Sequence, residues 1–187
     1  MGVIRRIYGD RPIPAANVWL ADAHYKFAEN SLSVLPGKQW LALAPGVGGA
    51  EEKLWPGDKY ATLANSLTDL FSGVILVGSA NERQFTAAVS RNLTVPFVDM
   101  AGNTDLLQAA ALIKCARMFV GSDSGLGHIA SAVSVPSLTF FSVDTPERCR
   151  PWGNKGVWLT GENQDARGIT IHHAETKIRQ CLQAAQE

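Results

Sequence analysis

The sequence has no excess of charge of one sign. Its 17 lysines and arginines are balanced by 17 aspartates and glutamates, and charged residues make up only 18% of the chain. A protein that binds nucleic acid or another polyanion through a basic surface needs such an excess. The composition therefore argues against a nucleic-acid partner and against a disordered tail of like charge.

Cysteine is also scarce. Cys115, Cys149 and Cys181 are odd in number, far apart, and outside any CxxC or histidine spacing typical of metal ligands. Disulfide frameworks and zinc sites both need a more regular arrangement. We expect neither a disulfide nor a metal site, and we expect Cys115, which lies in an apolar run, to be a buried thiol.

Long hydrophobic runs are missing. No segment approaches the roughly 18 apolar residues of a membrane helix. Residues 1–11 carry Arg5, Arg6 and Arg11 but no apolar stretch of signal-peptide length. We interpret the chain as a cytoplasmic protein without a transmembrane segment.

What the sequence does contain is an alternation of short apolar runs with longer helical patterns. Near-continuous apolar runs predict strands that are covered on both faces, at residues 40–44, 74–78, 96–100, 118–121 and 137–141. Helical spacing predicts helices at residues 59–71, 81–91, 104–116, 125–133 and 173–186. The alternation predicts one α/β domain with a mostly parallel sheet and helices on both faces.

Residues 1–39 differ from the rest. Prolines and a glycine frame one helix-like stretch at residues 18–32, and a segment of this length is too short to bury a core of its own. We therefore divide the chain into a lead-in segment, residues 1–39, and a domain, residues 40–187. We expect the lead-in segment to pack on the domain or on a neighbouring molecule.

The loop after the first predicted strand is rich in glycine. In open parallel sheets, ligands bind beyond the carboxyl ends of the strands. Gly48 and Gly49 allow the backbone to approach a ligand closely, and Lys53 adds a positive charge. This loop suits a phosphate, the alternative being a flexible loop with an exposed lysine. A dinucleotide fingerprint is disfavoured, because Glu51 occupies the position of its third glycine.

A second loop, residues 121–128, runs from a strand directly into a helix. Backbone amides at a helix N-terminus favour an anion, and Asp123, Ser124, Gly125 and His128 lie around this one. The pattern favours a diphosphate site. In the alternative, Asp123 or Ser124 only caps the helix and His128 packs under the loop. A Ser124–His128 nucleophile pair is disfavoured, because no G-x-S-x-G elbow is present.

Two more loops carry candidate residues. Glu82, at the start of a helix, could bond a ribose diol or simply compensate the helix dipole. Residues 143–153 form a proline-framed loop with Arg148 and Arg150, which could approach a ligand or another part of an enzyme. The sequence does not separate these choices.

Four motifs in order resemble the lipopolysaccharide heptosyltransferases, glycosyltransferase family 9. They are Lys53-x-Trp55-Pro56, Ala101-Gly102-x-Thr104-Asp105-Leu106, Asp123-Ser124-Gly125-x-x-His128, and Asp144-x-Pro146-x-Arg148-x-x-Pro151-Trp152-Gly153. The resemblance covers about residues 40–160. It implies a single Rossmann-like half-domain of a GT-B enzyme, the C-terminal half that binds an ADP-sugar donor.

The resemblance also implies roles for individual residues. Those expected at the diphosphate are Gly48, Gly49, Lys53, Asp123, Ser124, Gly125 and His128. Glu82 would bond the ribose, and Thr104 would border the adenine. The reaction would be an inverting transfer of heptose from ADP-heptose to a lipopolysaccharide-type acceptor, without a metal or other cofactor, because positive groups stabilise the departing diphosphate.

In this family the acceptor-binding domain and its general base precede the matched region, whereas only 39 residues precede it here. We therefore expect the isolated chain to be an incomplete enzyme whose catalytic residues are unknown. Another domain, another chain or a homo-oligomer would supply the acceptor side, and a lipid acceptor would bring peripheral membrane contact. The alternative is a non-catalytic module for nucleotide-sugar binding or protein interaction.

Overall fold

The centre of the molecule is a parallel sheet of six strands in the computed structural model, which describes residues 15–47 and 51–184. The strands are β1 (Trp40–Ala44), β2 (Gly73–Leu76), β3 (Phe97–Asp99), β4 (Met118–Ser122), β5 (Ser137–Phe141) and β6 (Gly156–Thr160). Their order is β3-β2-β1-β4-β5-β6, and every adjacent pair is parallel. The α/β fold expected from the sequence is confirmed, and its strand order is that of the Rossmann fold.

Helices cover both faces of this sheet. They are α1 (Asp22–Leu32), α2 (Gly57–Ser66), α3 (Arg83–Ser90), α4 (Leu106–Cys115), α5 (Gly125–Ala132), the single turn α6 (Pro146–Cys149) and α7 (Ile171–Ala184). The predicted helices are all present, with ends that differ by a few residues. Within the described ranges, no helix combines the length and apolar character needed to cross a membrane.

The alternation of side chains along β1 separates two hydrophobic cores. Leu41 and Leu43 point into one core, formed with α2, α3 and α7, whereas Ala42 and Ala44 point into the other, formed with α1, α4 and α5. Successive residues of a strand face opposite sides of the sheet. A strand buried on both faces is apolar at every position, as the WLALA run of β1 is.

The sixth strand corrects the sequence analysis, which predicted five. β6 pairs with β5 from Ser137–Gly156 to Phe141–Thr160 and forms one edge of the sheet. Its residues are only partly buried or exposed. The sequence prediction assigned no element to residues 156–160, although Val157, Trp158 and Leu159 form a short apolar run. The pairing with β5 identifies these residues as a strand.

The described part of the lead-in segment packs on the domain. Ala28 and Leu32 of α1, together with Leu35, are buried in the same core as α4. This agrees with the expected packing of the segment, although residues 1–14 lie outside the described part and the boundary at residue 40 stays a prediction.

The three cysteines are free and half-buried. The expectation of a buried Cys115 is wrong in degree, because this last residue of α4 packs against the core but stays partly exposed.

Candidate functional site

A cleft of about 460 Å³ lies beyond the carboxyl ends of β2, β3 and β4. Its walls come from the loop after β2, the entry to α4 and the first turn of α5. The lining residues are Gly78, Ser79, Glu82, Thr104, Asp105, Leu106, Ala109, Ser124, Gly125, Leu126 and Ile129. The fold thus brings Glu82, Thr104, Ser124 and Gly125, all expected at the nucleotide, into one cavity.

Three charged side chains meet beside this cleft, and we call them the charge cluster: Lys53, Asp123 and Asp144. Lys53 Nζ donates a hydrogen bond to Asp123 Oδ2 at 3.2 Å and a second to Asp144 Oδ2. The residues follow β1, β4 and β5, whose carboxyl ends lie side by side. Asp123 directly precedes Ser124 of the cleft wall, so the charge cluster borders the cavity.

The charge cluster keeps its lysine protonated. The hydrogen bond to Asp144, with a smaller contribution from Asp123, raises the pKa of Lys53 above its ordinary value. The same hydrogen bond lowers the pKa of Asp144. The pKa of Asp123 is raised, because its burial outweighs its attraction to Lys53 and Asp144 adds a like charge. The two carboxylates on one ammonium therefore differ in character, Asp123 being the more buried.

Trp55 anchors the segment that carries Lys53. Its indole is fully buried and packs against Tyr60 and Phe140, with ring centroids 4.7 Å and 4.5 Å away. Its Nε1 donates to the carbonyl oxygen of Ile169 at 2.9 Å. This part of the Lys53-x-Trp55-Pro56 motif is thus a core contact that anchors the segment carrying Lys53.

Glu82 enters the cleft with one carboxylate oxygen engaged. Its Oε2 accepts a hydrogen bond from the backbone N–H of Ser79 at 2.7 Å, as in a capping box. Its Oε1 lies over Gly46, where an added Cβ would stand only 2.2 Å away. Glu82 therefore has the structural role left open by the sequence, and it also lines the cavity.

The first turn of α5 opens into the cleft without a side-chain cap. Ser124 is the N-cap residue, but its hydroxyl makes no capping hydrogen bond, and the carboxylate of Asp123 is directed to Lys53. The alternative in which these side chains only cap the helix is wrong. A Cβ on Gly125 would meet nothing within 4 Å, so this position borders open space.

His128 is exposed on α5 and does not line the cleft. The alternative that packs it under the loop is therefore wrong, and the structure places it beside the site only. Gly48 and Gly49, expected at the diphosphate, lie outside the described residues.

Sequence reasoning missed two contributors to the site. Asp144 was part of a motif whose role stayed open, yet it belongs to the charge cluster. Arg150, from the same loop, lies over the Trp158 ring instead, with its Cζ 5.1 Å from the ring centroid. Arg83 supports the wall that holds Thr104, because its guanidinium donates to the carbonyl oxygens of Ala101 and Gly102. The Asp144-x-Pro146 spacing was the sequence signal that could have indicated Asp144. No sequence signal indicated Arg83.

A second, wider groove of about 600 Å³ lies near Trp40 and Cys115, at the amino-terminal end of β1. In sheets of this order, ligands bind beyond the carboxyl ends of the strands, at the point where the strand order reverses. Here the reversal falls between β1 and β4, whose loops supply Lys53 and Asp123. The cleft and the charge cluster, and not the wider groove, therefore form the candidate site.

The strand order and the position of the cleft define a Rossmann-like α/β domain with a candidate ligand site where the strand order reverses. Comparison with known proteins is more specific. The family model of glycosyltransferase family 9 (heptosyltransferase) matches residues 10–178, and the chain belongs to this family. The match extends the sequence resemblance at both ends.

Curated relatives agree with the family. Lipopolysaccharide heptosyltransferase 2 of Escherichia coli (strain K12) is 28% identical over 158 residues, which are 81% of this chain and 45% of that protein. Lipopolysaccharide heptosyltransferase 2 of Salmonella typhimurium is 31% identical over 137 residues, 70% of this chain and 39% of that protein. The chain thus spans less than half the length of these relatives.

Solved structures agree as well. The structure of Escherichia coli ADP-heptose LPS heptosyltransferase II superposes with a TM-score of 0.81 at 26% identity, covering 95% of this chain and 57% of that one. A family 9 glycosyltransferase from Veillonella parvula superposes with a TM-score of 0.87 over 98% of this chain and 58% of that one. At 13% identity, the latter likeness concerns the fold alone.

Proposed function

We propose that this chain is the donor-binding half of a heptosyltransferase, which binds an ADP-heptose-type nucleotide sugar for transfer to a lipopolysaccharide-type acceptor. The observation that carries the proposal is the cleft where the strand order reverses, which combines Glu82 and Thr104 with the open first turn of α5 and has Lys53 at its border. The family membership and the similarity to lipopolysaccharide heptosyltransferases support the choice of sugar nucleotide.

Each wall of the cleft suits one part of the donor. Thr104 and the apolar side chains of Leu106 and Ile129 would hold the adenine, and the carboxylate of Glu82 would accept hydrogen bonds from the ribose diol. The diphosphate would lie at the N-terminus of α5, where the backbone amides near Ser124 and Gly125 point at the ligand. This arrangement leaves the sugar near Asp123 and His128.

The reaction is an inverting displacement. An acceptor hydroxyl oxygen forms a bond to the anomeric carbon, the bond between that carbon and the diphosphate oxygen breaks, and ADP leaves with the electron pair. The acceptor proton passes to a general base that we assign to the acceptor side. In this chain, Lys53 and the α5 amides stabilise the charge that develops on ADP, without a metal or other cofactor.

Transfer therefore needs an acceptor-binding part beyond the described domain, supplied by another domain, another chain or a second copy. We place the reaction in the cytoplasm, with membrane contact through a lipid acceptor only. General-base assistance is typically worth about 10²–10⁴-fold in rate. The isolated chain should accordingly bind the donor far better than it turns the donor over.

Calorimetric titration of the chain with ADP, ADP-heptose and NADH tests the binding proposal. We expect ADP and ADP-heptose to bind and NADH to bind more weakly, and tighter NADH binding would contradict the assignment. A second assay measures ADP released from ADP-heptose with acceptor, with and without a separate acceptor-binding domain. If the chain binds the donor but releases no ADP in any mixture, it is a non-catalytic module instead.

A further inference from the structure

The ammonium group of Lys53 already has two anionic partners in the protein itself. Asp123 Oδ2 lies 3.2 Å from Nζ, and Asp144 is in still closer contact. We propose that Asp144 is an intramolecular competitor of the donor diphosphate: it occupies Lys53 in the free protein and must leave when the diphosphate binds. The inference rests on the proposed function, because it assumes that the ligand carries a diphosphate.

The charge balance of the cluster supports competition. One ammonium faces two carboxylates, so the cluster has a net negative charge next to a cleft that is to receive an anion. A lysine ammonium has only three N–H donors, and two of them are directed to carboxylates. A diphosphate at the α5 N-terminus would find most N–H donors of Lys53 already in hydrogen bonds. It would also be repelled by the net negative charge of the cluster.

Asp144 is the partner that can leave. Its side chain is 33% exposed, whereas that of Asp123 is 12% exposed. A carboxylate that swings into water is readily resolvated, but a buried one left without its counterion is costly. Asp144 also lies in the loop between β5 and α6, outside regular structure, so a change of its side-chain rotamer disturbs no strand or helix.

Asp123, in contrast, is the partner that stays with Lys53. It lies at the end of β4, where its backbone N–H donates to the carbonyl oxygen of Phe140 at 3.1 Å, and it adjoins the cleft wall. When Asp144 leaves, Asp123 still holds Nζ at the border of the cleft. The exchange thus replaces one anionic partner of Lys53 by another and leaves the lysine in place.

Competition of this kind lowers the apparent affinity in proportion to the fraction of molecules whose lysine is free for the ligand. The replacement Asp144→Asn weakens the competitor and removes one negative charge. The Lys53–Asp144 pair is only partly buried, and ion pairs near the surface are individually weak. We therefore expect ADP and inorganic pyrophosphate to bind roughly two- to fivefold more tightly to this variant. Adenosine, which has no phosphate, should bind with unchanged affinity.

The experiment is a calorimetric titration of the full chain and its variants with ADP, pyrophosphate and adenosine. Asp69→Asn is the matched control, because Asp69 forms an exposed ion pair with Arg179 and follows α2, near the amino-terminal edge of the sheet. It removes the same charge without touching the charge cluster. Tighter ADP binding by the Asp144 variant, with the control unchanged, supports the inference.

The double variant Lys53→Ala, Asp144→Asn is the decisive comparison. If Asp144 acts through Lys53, its replacement should change ADP affinity much less when the lysine is absent. Unchanged or weaker ADP binding by Asp144→Asn would overturn this inference but not the proposed function. Weaker binding would mean that Asp144 positions the lysine for the phosphate. Absence of ADP binding by the wild type and by every variant would instead overturn the proposed function.

Discussion

The carboxylate of Glu82 fills the space that a side chain on residue 46 would need. A Cβ built on Gly46 would stand 2.2 Å from Glu82 Oε1 and 2.4 Å from its Cδ. Gly46 follows β1, whereas Glu82 follows β2, and these strands are neighbours in the sheet. The missing side chain on one loop therefore determines where the carboxylate of the other can lie in the cleft.

The replacement Gly46→Ala should displace Glu82 and weaken its proposed contact with the ribose. Hydrogen bonds to charged groups are worth about 1.5–3 kcal/mol, so we expect at least roughly tenfold weaker ADP binding. The preference for ADP over 2′-deoxy-ADP should fall at the same time, and calorimetry measures both.

Gly168→Ala is the control for this prediction, because a Cβ there meets only ordinary contacts from 3.5 Å outward. The double variant Gly46→Ala, Glu82→Asp should recover part of the affinity, since the shorter carboxylate withdraws from the new methyl group. A preference for ADP over the deoxy nucleotide that survives Gly46→Ala would contradict the role of Glu82 at the ribose.

Lys53→Ala should weaken the binding of ADP far more than the binding of adenosine, because the missing contact is to phosphate. The expected loss for ADP is roughly 10- to 100-fold. Parallel titrations with the two ligands measure the difference, and equal losses for both would remove Lys53 from the phosphate site.

Asp123→Ala should damage ligand binding more than it damages stability. Without Asp123, the lysine keeps only Asp144 as a partner and is drawn from the border of the cleft. The side chain of Asp123 does not cap α5, so the thermal midpoint should change little. Calorimetric binding and thermal melting are compared; a large fall in Tm with intact affinity would restore a purely structural role.

The Lys53–Asp144 ion pair should give stability a pH dependence with a definite sign. Lys53 lowers the pKa of Asp144, so the pair stabilises the fold above the ordinary pKa of that carboxyl, and this is lost as pH falls through the lower folded-state pKa. The raised pKa of Lys53 means that the contribution also disappears as pH rises through that folded-state value. Urea unfolding of wild type and Asp144→Asn across pH measures both limbs.

Asp69→Asn provides the contrast for this pH profile. Arg179 lowers the pKa of Asp69, so the acid limb should look alike. Arginine does not titrate in the accessible range, and the Asp69 contribution should persist at alkaline pH where that of Asp144 is lost. If both variants showed the same change of unfolding free energy with pH in the alkaline range, Lys53 would not be the ion-pair partner of Asp144.

Trp55→Ala should destabilise the domain by about 3–5 kcal/mol, the usual cost of removing a large buried aromatic side chain. Trp55 is fully buried, and its indole also donates to the backbone of Ile169. Trp55→Phe keeps most of the packing and should cost less. Denaturant unfolding measures both, and a loss below about 1 kcal/mol for the alanine variant would contradict the anchoring role.

The sequence predicts local features of this fold well, because they depend on nearest neighbours. The continuous apolar run of β1 and the Asp105–Gln108 capping box at the start of α4 are both visible in the chain. β6 was missed because its apolar run, Val157 to Leu159, is short and follows a proline-framed loop without a long helical pattern before it. Its assignment depends on pairing with β5, which is a property of the assembled sheet.

The candidate site is predictable only in part, for the same reason. Ser124 and Gly125 are adjacent in the chain and could be assigned together. The contacts of Lys53 with Asp123 and Asp144 span 70 and 91 residues, and they exist only because β1, β4 and β5 are neighbours in the sheet. No spacing rule along the chain could indicate that the two carboxylates converge on one ammonium.

The central position of β1 also affects how the molecule assembles. β1 is the first strand in the part of the chain that the structure describes, but one of its two partners, β4, follows only after β2 and β3. Until residues 118–122 are available, one edge of β1 has unpaired backbone groups and forms an exposed template for wrong pairing. Such non-local parallel pairing is intrinsically slow. The arrangement that brings the binding loops together therefore also makes the growing chain vulnerable to aggregation.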